Sequence, residues 1–350
     1  TDIKSKERKR MPAPPFTTSS LQQEAGRKLS FTTARTMQIV QQLYEGVEIA
    51  GEGIQGLVTY IDTDSVRISD EAMEAVRAYI PSRYGPEFLP KEKNEFKGRK
   101  NAQDAHEAIR PTNIERTPES IKASLSREHY MLYRLIYNRF IASQMEAAVY
   151  QTLTVDISSE KVLLRFYGEH KSFAGFTVLY EESMDENVDS VEMNLPVLKQ
   201  GMEIKIAGID SAQHFTQPPS RFTEASLVRT LEENGIGRPS TYAPTISTII
   251  SRGYVTREKK RLFPTELGIM VNDMMNRYFS EIVDTEFTAS MESKLDAVEE
   301  GKDDWKQILR DFYPEFCKEL DVAEEEIEKI DIKDEVSDVK CDQCGAMMVY

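Results

Sequence analysis

A chain of 350 residues, 40% hydrophobic and 29% charged, has material for two or three packed domains under a charged surface. No apolar run approaches the roughly 18 residues of a membrane helix, the start has no apolar signal region, and three cysteines do not make a disulfide framework, so a reducing cytoplasm is the simplest compartment. The net charge of −15 argues against a polyanionic partner only until it is divided: residues 281–338 hold 21 acidic and 7 basic residues, net −14, whereas residues 1–38 and 220–262 are net +5 and +4.

Residues 1–14 are basic and, with Pro15, carry three prolines, which reads as a linker or domain edge. Leu21, Ala25 and Leu29 repeat every four residues, and Met37, Val40 and Leu43 every three, so two helices follow, the second stopped by Gly46. The run 57–60 reads as a short strand that delivers Tyr60 into the polar turn Asp62-Thr63-Asp64-Ser65. Ser69 caps a helix with Asp70 and Glu71 in its first turn and Met73, Val76 and Ile80 on one face. Residues 126–146 are again helical. From Tyr150 the pattern changes: Leu153, Val155 and Ile157 alternate, and 162–167, 173–180 and 203–208 read as strands around an acidic loop at 181–192. Thr223 caps a helix ending at Gly235, a second helix through Ile246 and Ile250 ends at Gly253, and 254–263 reads as a hairpin with Lys259-Lys260-Arg261 near its tip. Helix, turn, helix and basic wing suits DNA, and it also occurs in folds that bind nothing. Residues 265–330 continue as helices, with Glu324-Glu325-Glu326 a solvated face.

Several of these residues have a chemical and a structural reading. A phenol in a polar turn is a nucleophile for phosphate, or a packed strand tyrosine. His106 in His106-Glu107-Ala108-Ile109-Arg110-Pro111 is a site residue or a satisfied structural one; a zinc-protease motif is excluded, because Arg110 stands where the second histidine belongs. Arg110 offers a planar fork to phosphate, or joins an ion pair. Arg238, Ser240 and Thr241 enter a helix start that attracts anions, and either hydroxyl serves equally as a plain cap. Arg252 is a weaker phosphate candidate. Cys341-Asp342-Gln343-Cys344-Gly345 has the spacing of half a zinc ribbon, whereas Cys317 beside Phe316 reads as buried structure.

Four blocks in fixed order carry a resemblance: Pro14 to Ala25, Leu57 to Ser65, Gln103 to Thr112, and Gly235 to Tyr242. Together they closely resemble type IA DNA topoisomerases, specifically the bacterial topoisomerase I group, from about residue 12 to the end. The resemblance implies a multidomain α+β fold, part of a toroid. Residues 1–14 would be a linker or the edge of an arch domain, 15–145 a mainly helical tyrosine domain, and 146–217 a β-rich arch. Residues 218–336 would be a winged-helix-like domain binding single strands, and 337–350 the start of a truncated zinc ribbon. It implies ATP-independent cleavage of one DNA strand through a 5′-phosphotyrosine at Tyr60, strand passage, religation and relaxation of negative supercoils. His106 would hold the phosphate geometry. Arg110, Arg238, Ser240, Thr241 and Arg252 would contact DNA, and Cys341 and Cys344 would hold half of a zinc site.

Two departures stand out. The family places arginine two residues after the tyrosine, where this chain has Asp62. On a strand, Tyr60 and Asp62 would face one side, and a carboxylate about 4 Å from the phosphate would repel it by roughly 4 kcal/mol at a dielectric near 20. The magnesium-holding Toprim domain has no counterpart here, so the chain is expected to be a core fragment unable to relax DNA alone. The expected partner is DNA, preferably single-stranded, bound by a monomer in the bacterial nucleoid with no membrane. Magnesium would be held by Toprim, and zinc by the full-length protein. The alternatives are a topoisomerase III-like enzyme and a non-catalytic single-strand-binding module.

Overall fold

The computed structural model describes residues 2–98, 106–158, 162–183, 199–203, 205, 208–327 and 336–349. Gln103, Asp104 and Ala105 of the histidine block lie outside the described residues. So do positions 184–192 of the acidic insert, positions 204, 206 and 207 of the strand expected at 203–208, and the last helical positions expected at 328–330. The chain divides into two compact units, Thr1–Ile269 and Met270–Tyr350.

The first unit is α+β. Its helices begin where hydroxyl residues cap them. Thr17 forms a capping box with Ser20 at α1 (Thr18–Glu24), Thr32 caps α2 (Thr33–Glu45), Ser69 caps α3 (Asp70–Tyr84) and Ser126 caps α4 (Arg127–Ser143). Helix α2 stops at Gly46, whose φ of 128° suits glycine; a Cβ there would sit 2.6 Å from the Ile54 side chain. Phe16, Leu21, Val40, Leu43, Leu57, Ile109 and Ile136 are fully buried between these helices. Each contributes about 1.5–3 kcal/mol by leaving water.

A three-stranded antiparallel sheet has the order β1 (Asp2–Arg10), β4 (Ala148–Ser158), β5 (Leu163–Phe173). The hairpin β2 (Val47–Ile49) and β3 (Gly53–Gln55) lies between them in sequence. Of the two readings of 1–14, linker or edge of the arch domain, the sheet excludes the linker: β1 is its edge strand. Residues 2–10 form a full strand, in register from Asp2 opposite Asp156 to Arg10 opposite Ala148. Both of its faces are largely solvated, so no apolar alternation betrays it. The strand expected at 173–180 is instead a 3-10 turn, Gly175–Val178, which returns the chain to the core with Phe176 and Tyr180 buried. Gly175 has φ 50°, and a Cβ there would lie 2.5 Å from the Ala147 carbonyl oxygen.

Farther along come α5 (Glu224–Glu233), α6 (Tyr242–Ser251) and the hairpin β6 (Val255–Glu258) and β7 (Arg261–Pro264). Helix, turn, helix and wing thus stand as expected. Lys259 and Lys260 make the hairpin turn with φ of 46° and 70°. Ser19 donates to Glu232 at 2.7 Å, and Glu224 accepts from the Thr33 N–H at 2.8 Å and its hydroxyl at 2.9 Å. These bonds fix α5 against the starts of α1 and α2, and α6 packs on α2.

Helix α7 (Glu266–Tyr278) runs into the second unit, which continues with α8 (Thr285–Glu299), α9 (Trp305–Glu326) and the hairpin β8 (Val336–Lys340) and β9 (Met347–Val349). Aromatic contacts run to α9: Phe279, just past the end of α7, meets Phe316 at 6.4 Å, and Phe287 of α8 meets Phe312 at 5.9 Å between ring centroids.

Candidate active site and nucleic-acid interface

Tyr60 is the exposed residue of a loop whose other large side chains are buried. Leu57, Val58, Ile61, Thr63 and Ser65 are all at most 5% exposed, whereas Tyr60 is 42% exposed. Two threonines hold the loop. The Thr59 hydroxyl donates to the Ala108 carbonyl at 2.7 Å and accepts from the Arg110 N–H at 3.0 Å, and the Thr59 N–H donates to the Arg110 carbonyl at 2.9 Å. The Thr18 hydroxyl donates to the Ile61 carbonyl at 2.6 Å and accepts from the Thr63 N–H at 2.9 Å.

This clamp also corrects the strand reading of 57–60. Only an isolated bridge, Val58 with Pro111, is present, and the chain bends at Ile61 and Asp62. The same-face argument for Tyr60 and Asp62 rests on an extended strand, which the bend replaces, while the Asp62 carboxylate still interacts with the charge of His106 beside Tyr60. The half-buried Asp62 instead lines a cavity of about 330 Å³ between α2 and α6, with Met37, Pro239, Ser240, Ala243 and Ser247 among its walls. Burial raises the Asp62 carboxyl above its ordinary pKa, and the charge of His106 opposes that shift.

The His106 ring lies 5.0 Å from the Tyr60 ring, tilted by 55°, and Tyr44 meets the same phenol edge-on at 5.7 Å. The Nδ1 atom of His106 is buried and finds no hydrogen-bond partner among the described residues. Tyr60, Asp62 and His106 are thus brought together. Arg110 is beside them in sequence, but its fork points inward. Its Nε donates to Glu107 at 2.8 Å, its Nη1 to the Pro111 carbonyl at 3.0 Å and its Nη2 to the Ser69 hydroxyl at 3.2 Å. Burial alone would raise the Glu107 carboxyl; the bonds from Arg110 and the Ser69 N–H outweigh it and hold the carboxyl below its ordinary pKa.

The turn into α6 is locked locally. Arg238 donates its N–H to the Thr241 hydroxyl at 2.8 Å, that hydroxyl donates back to the Arg238 carbonyl at 3.0 Å, and Arg238 Nη1 donates to the Gly237 carbonyl at 2.7 Å. Ser240, by contrast, is exposed and reaches the Asp62 cavity. Arg252 follows the last residue of α6, about 15 Å along the axis from its start, and so does not join this group.

Cys341 and Cys344 sit on the β8–β9 turn, where the Cys341 N–H donates to the Ala346 carbonyl at 2.8 Å. The backbone N–H groups of Cys344 and Gln343 lower the Cys341 thiol pKa, as suits a thiolate ligand. Among the described residues no group of three or more His, Cys, Asp or Glu could hold a metal ion. The pair fits half of a four-ligand zinc site, and the described residues do not themselves make a magnesium site.

Sequence reasoning missed Tyr44, Glu107, Thr18 and Thr59. Glu107 and Arg110 at i, i+3 were legible as a pair. The run Thr17-Thr18-Ser19-Ser20 has more hydroxyls than one helix cap uses, which was the available signal for Thr18.

The comparisons with known proteins agree with the motif blocks. The family model described as DNA topoisomerase matches residues 1–310. The solved structure of full-length topoisomerase I from Thermotoga maritima superposes with a TM-score of 0.78 at 35% sequence identity, over 99% of this chain and 55% of that one. The chain therefore spans little more than half the length of that relative. It belongs to the bacterial type IA DNA topoisomerase family.

Proposed function

We propose that this chain carries the strand-cleaving tyrosine and the single-strand-binding part of an ATP-independent enzyme that relaxes negative supercoils in the bacterial nucleoid, acting as a monomer. The exposure of Tyr60 on a clamped, otherwise buried loop, against His106, carries the reading. A non-catalytic module with an enclosed tyrosine would not need that exposure. In cleavage the phenol gives up its proton, a bond forms between its oxygen and the 5′ phosphorus, and the bond to the 3′ oxygen breaks. The departing 3′ oxygen takes up a proton, and religation reverses each change, so the bond energy is conserved. His106 would orient the phenol and the phosphate. Exposed bases of the wing, Arg257, Lys259 and Arg261, with Arg238 and Arg252, would draw the strand in. Arg110 would act by shaping the pocket through Glu107 and Ser69.

The metal chemistry belongs to the same proposal. Magnesium would offset phosphate charge, held by acidic residues of a Toprim domain such as the family has. Zinc would be held by Cys341 and Cys344 with two further donors. The chain alone should leave a negatively supercoiled plasmid unrelaxed in magnesium. Joined to a Toprim domain it should relax the plasmid, and Tyr60→Phe should abolish that activity. Relaxation that survives Tyr60→Phe would overturn the nucleophile assignment.

A further inference from the structure

A second cavity, of about 510 Å³, lies between the end of α3, the middle of α4 and the chain just past the 3-10 turn. Neither Tyr60 nor His106 lines it. Its volume falls within the roughly 300–1,000 Å³ of small-ligand sites. The rings of Tyr79 and Tyr84 from α3, Tyr137 from α4 and Tyr180 supply flat walls. Three cations reach it, and one is already engaged: the Lys28 ammonium bonds the Glu181 carbonyl, lies 3.6 Å from Glu24 and sits 4.2 Å from the centre of the Tyr180 ring. Arg83 and Arg134 are exposed and form no ion pair among the described residues. Arg83 stands in the last turn of α3, where helix carbonyls alone would favour a cation. Arg134 is in the middle of α4, so no helix end accounts for it. The Tyr137 and Tyr180 hydroxyls donate to the Ile114 carbonyl and to Glu24, whereas that of Tyr84 bonds no described residue. Burial pushes the Tyr84 pKa up to about 12, so at neutral pH this phenol is a donor. Among the described lining residues Glu119 is the one acid, and the two guanidinium groups outnumber it.

We infer that this cavity binds a small ligand that joins an aromatic ring to a phosphate monoester, the ring against the tyrosines and the phosphate taken by Arg83 and Arg134. Planar guanidinium forks match the terminal oxygens of a phosphate, and tyrosine rings pack a flat partner by face or edge. The inference does not rest on the proposed function.

Titration calorimetry of the whole 350-residue chain with phenyl phosphate, at neutral pH and low salt, tests it, with inorganic phosphate and benzyl alcohol as the two halves of the probe. Phenyl phosphate should bind about tenfold more tightly than either half. Arg83→Gln and Arg134→Gln should each weaken it about tenfold, the loss of one charge-assisted bond. Arg127→Gln, which removes an exposed cation of α4 outside the lining, should leave it unchanged. With methionine methyls labelled by carbon-13, the Met131 signal, assigned through Met131→Leu, should move and saturate together with the heat. Equal affinity for phenyl phosphate and inorganic phosphate, equal losses in all three arginine variants, or a Met131 signal that stays still would each overturn the inference. If a short DNA duplex moved that signal and phenyl phosphate did not, the arginines would serve nucleic acid, and the inference would fall as well.

Discussion

Arg110 shows how a residue that reads as a phosphate ligand can serve the site from behind. Its donors go to Glu107, Ser69 and Pro111, and its side chain is 12% exposed. Glu107 is the anion that holds it there, and it also accepts from the Ser69 N–H at 3.0 Å. Glu107→Gln should destabilise the first unit by about 1–3 kcal/mol, because a charge-assisted bond is weakened while the guanidinium stays largely enclosed. The pH dependence follows from the direction of the Glu107 shift. Its folded-state pKa lies below the ordinary 4.5, so the contribution is full above that value and is lost as pH falls through the lower folded value. Urea unfolding of both proteins should show a gap at neutral pH that closes in acid. A gap independent of pH would mean that shape, not charge, is what Glu107 supplies.

At the scale of elements, α1 and the tyrosine loop form one device. Thr18 bonds both Ile61 and Thr63, and its own N–H donates to the Thr63 carbonyl at 2.9 Å. Thr18→Val keeps the volume and removes the hydroxyl, leaving buried backbone groups of the loop unpaired. The expected loss is about 1–3 kcal/mol, with faster amide exchange at Thr63 than at core positions of α4. Unchanged exchange at Thr63 would show that the loop is held by its apolar side chains alone. The same elements explain what the sequence discloses. Caps at Ser69 and Thr223, the stop at Gly46 and the helix–turn–helix–wing order are local chemistry, and all were legible. Strand β1 was not, because its pairing is backbone to backbone across solvated faces. The bend after Tyr60 was not, because it is imposed by a threonine 43 residues away in the chain. Tyr60 and His106 could be paired through motif order. That Asp62 faces α6 depends on tertiary packing that no local pattern encodes.

For the whole molecule, salt should act in two opposite directions. The second unit has a sparse core: Ile308 and Ala323 are its buried apolar side chains among the described residues, while Trp305, Leu309 and Tyr313 are each more than half exposed. It also contains the whole acidic stretch 281–338, net −14. Burial, with Glu281 and Glu315 nearby, raises the Glu319 carboxyl pKa, as expected where like charges crowd. Such repulsion is screened over about 10 Å at 0.1 M salt, so added salt should raise the stability of this unit. Binding of single-stranded DNA by the basic wing should weaken under the same change, because counterions are no longer released as favourably. The single tryptophan, Trp305, lies in the second unit, so indole fluorescence reports that unit while far-ultraviolet circular dichroism reports the whole chain. In urea the fluorescence transition should come first, and rising salt should move it toward the main dichroism transition. Coincident transitions at every salt concentration would show that the two units unfold as one cooperative body, and the division of the chain at residue 269 would then have no energetic meaning.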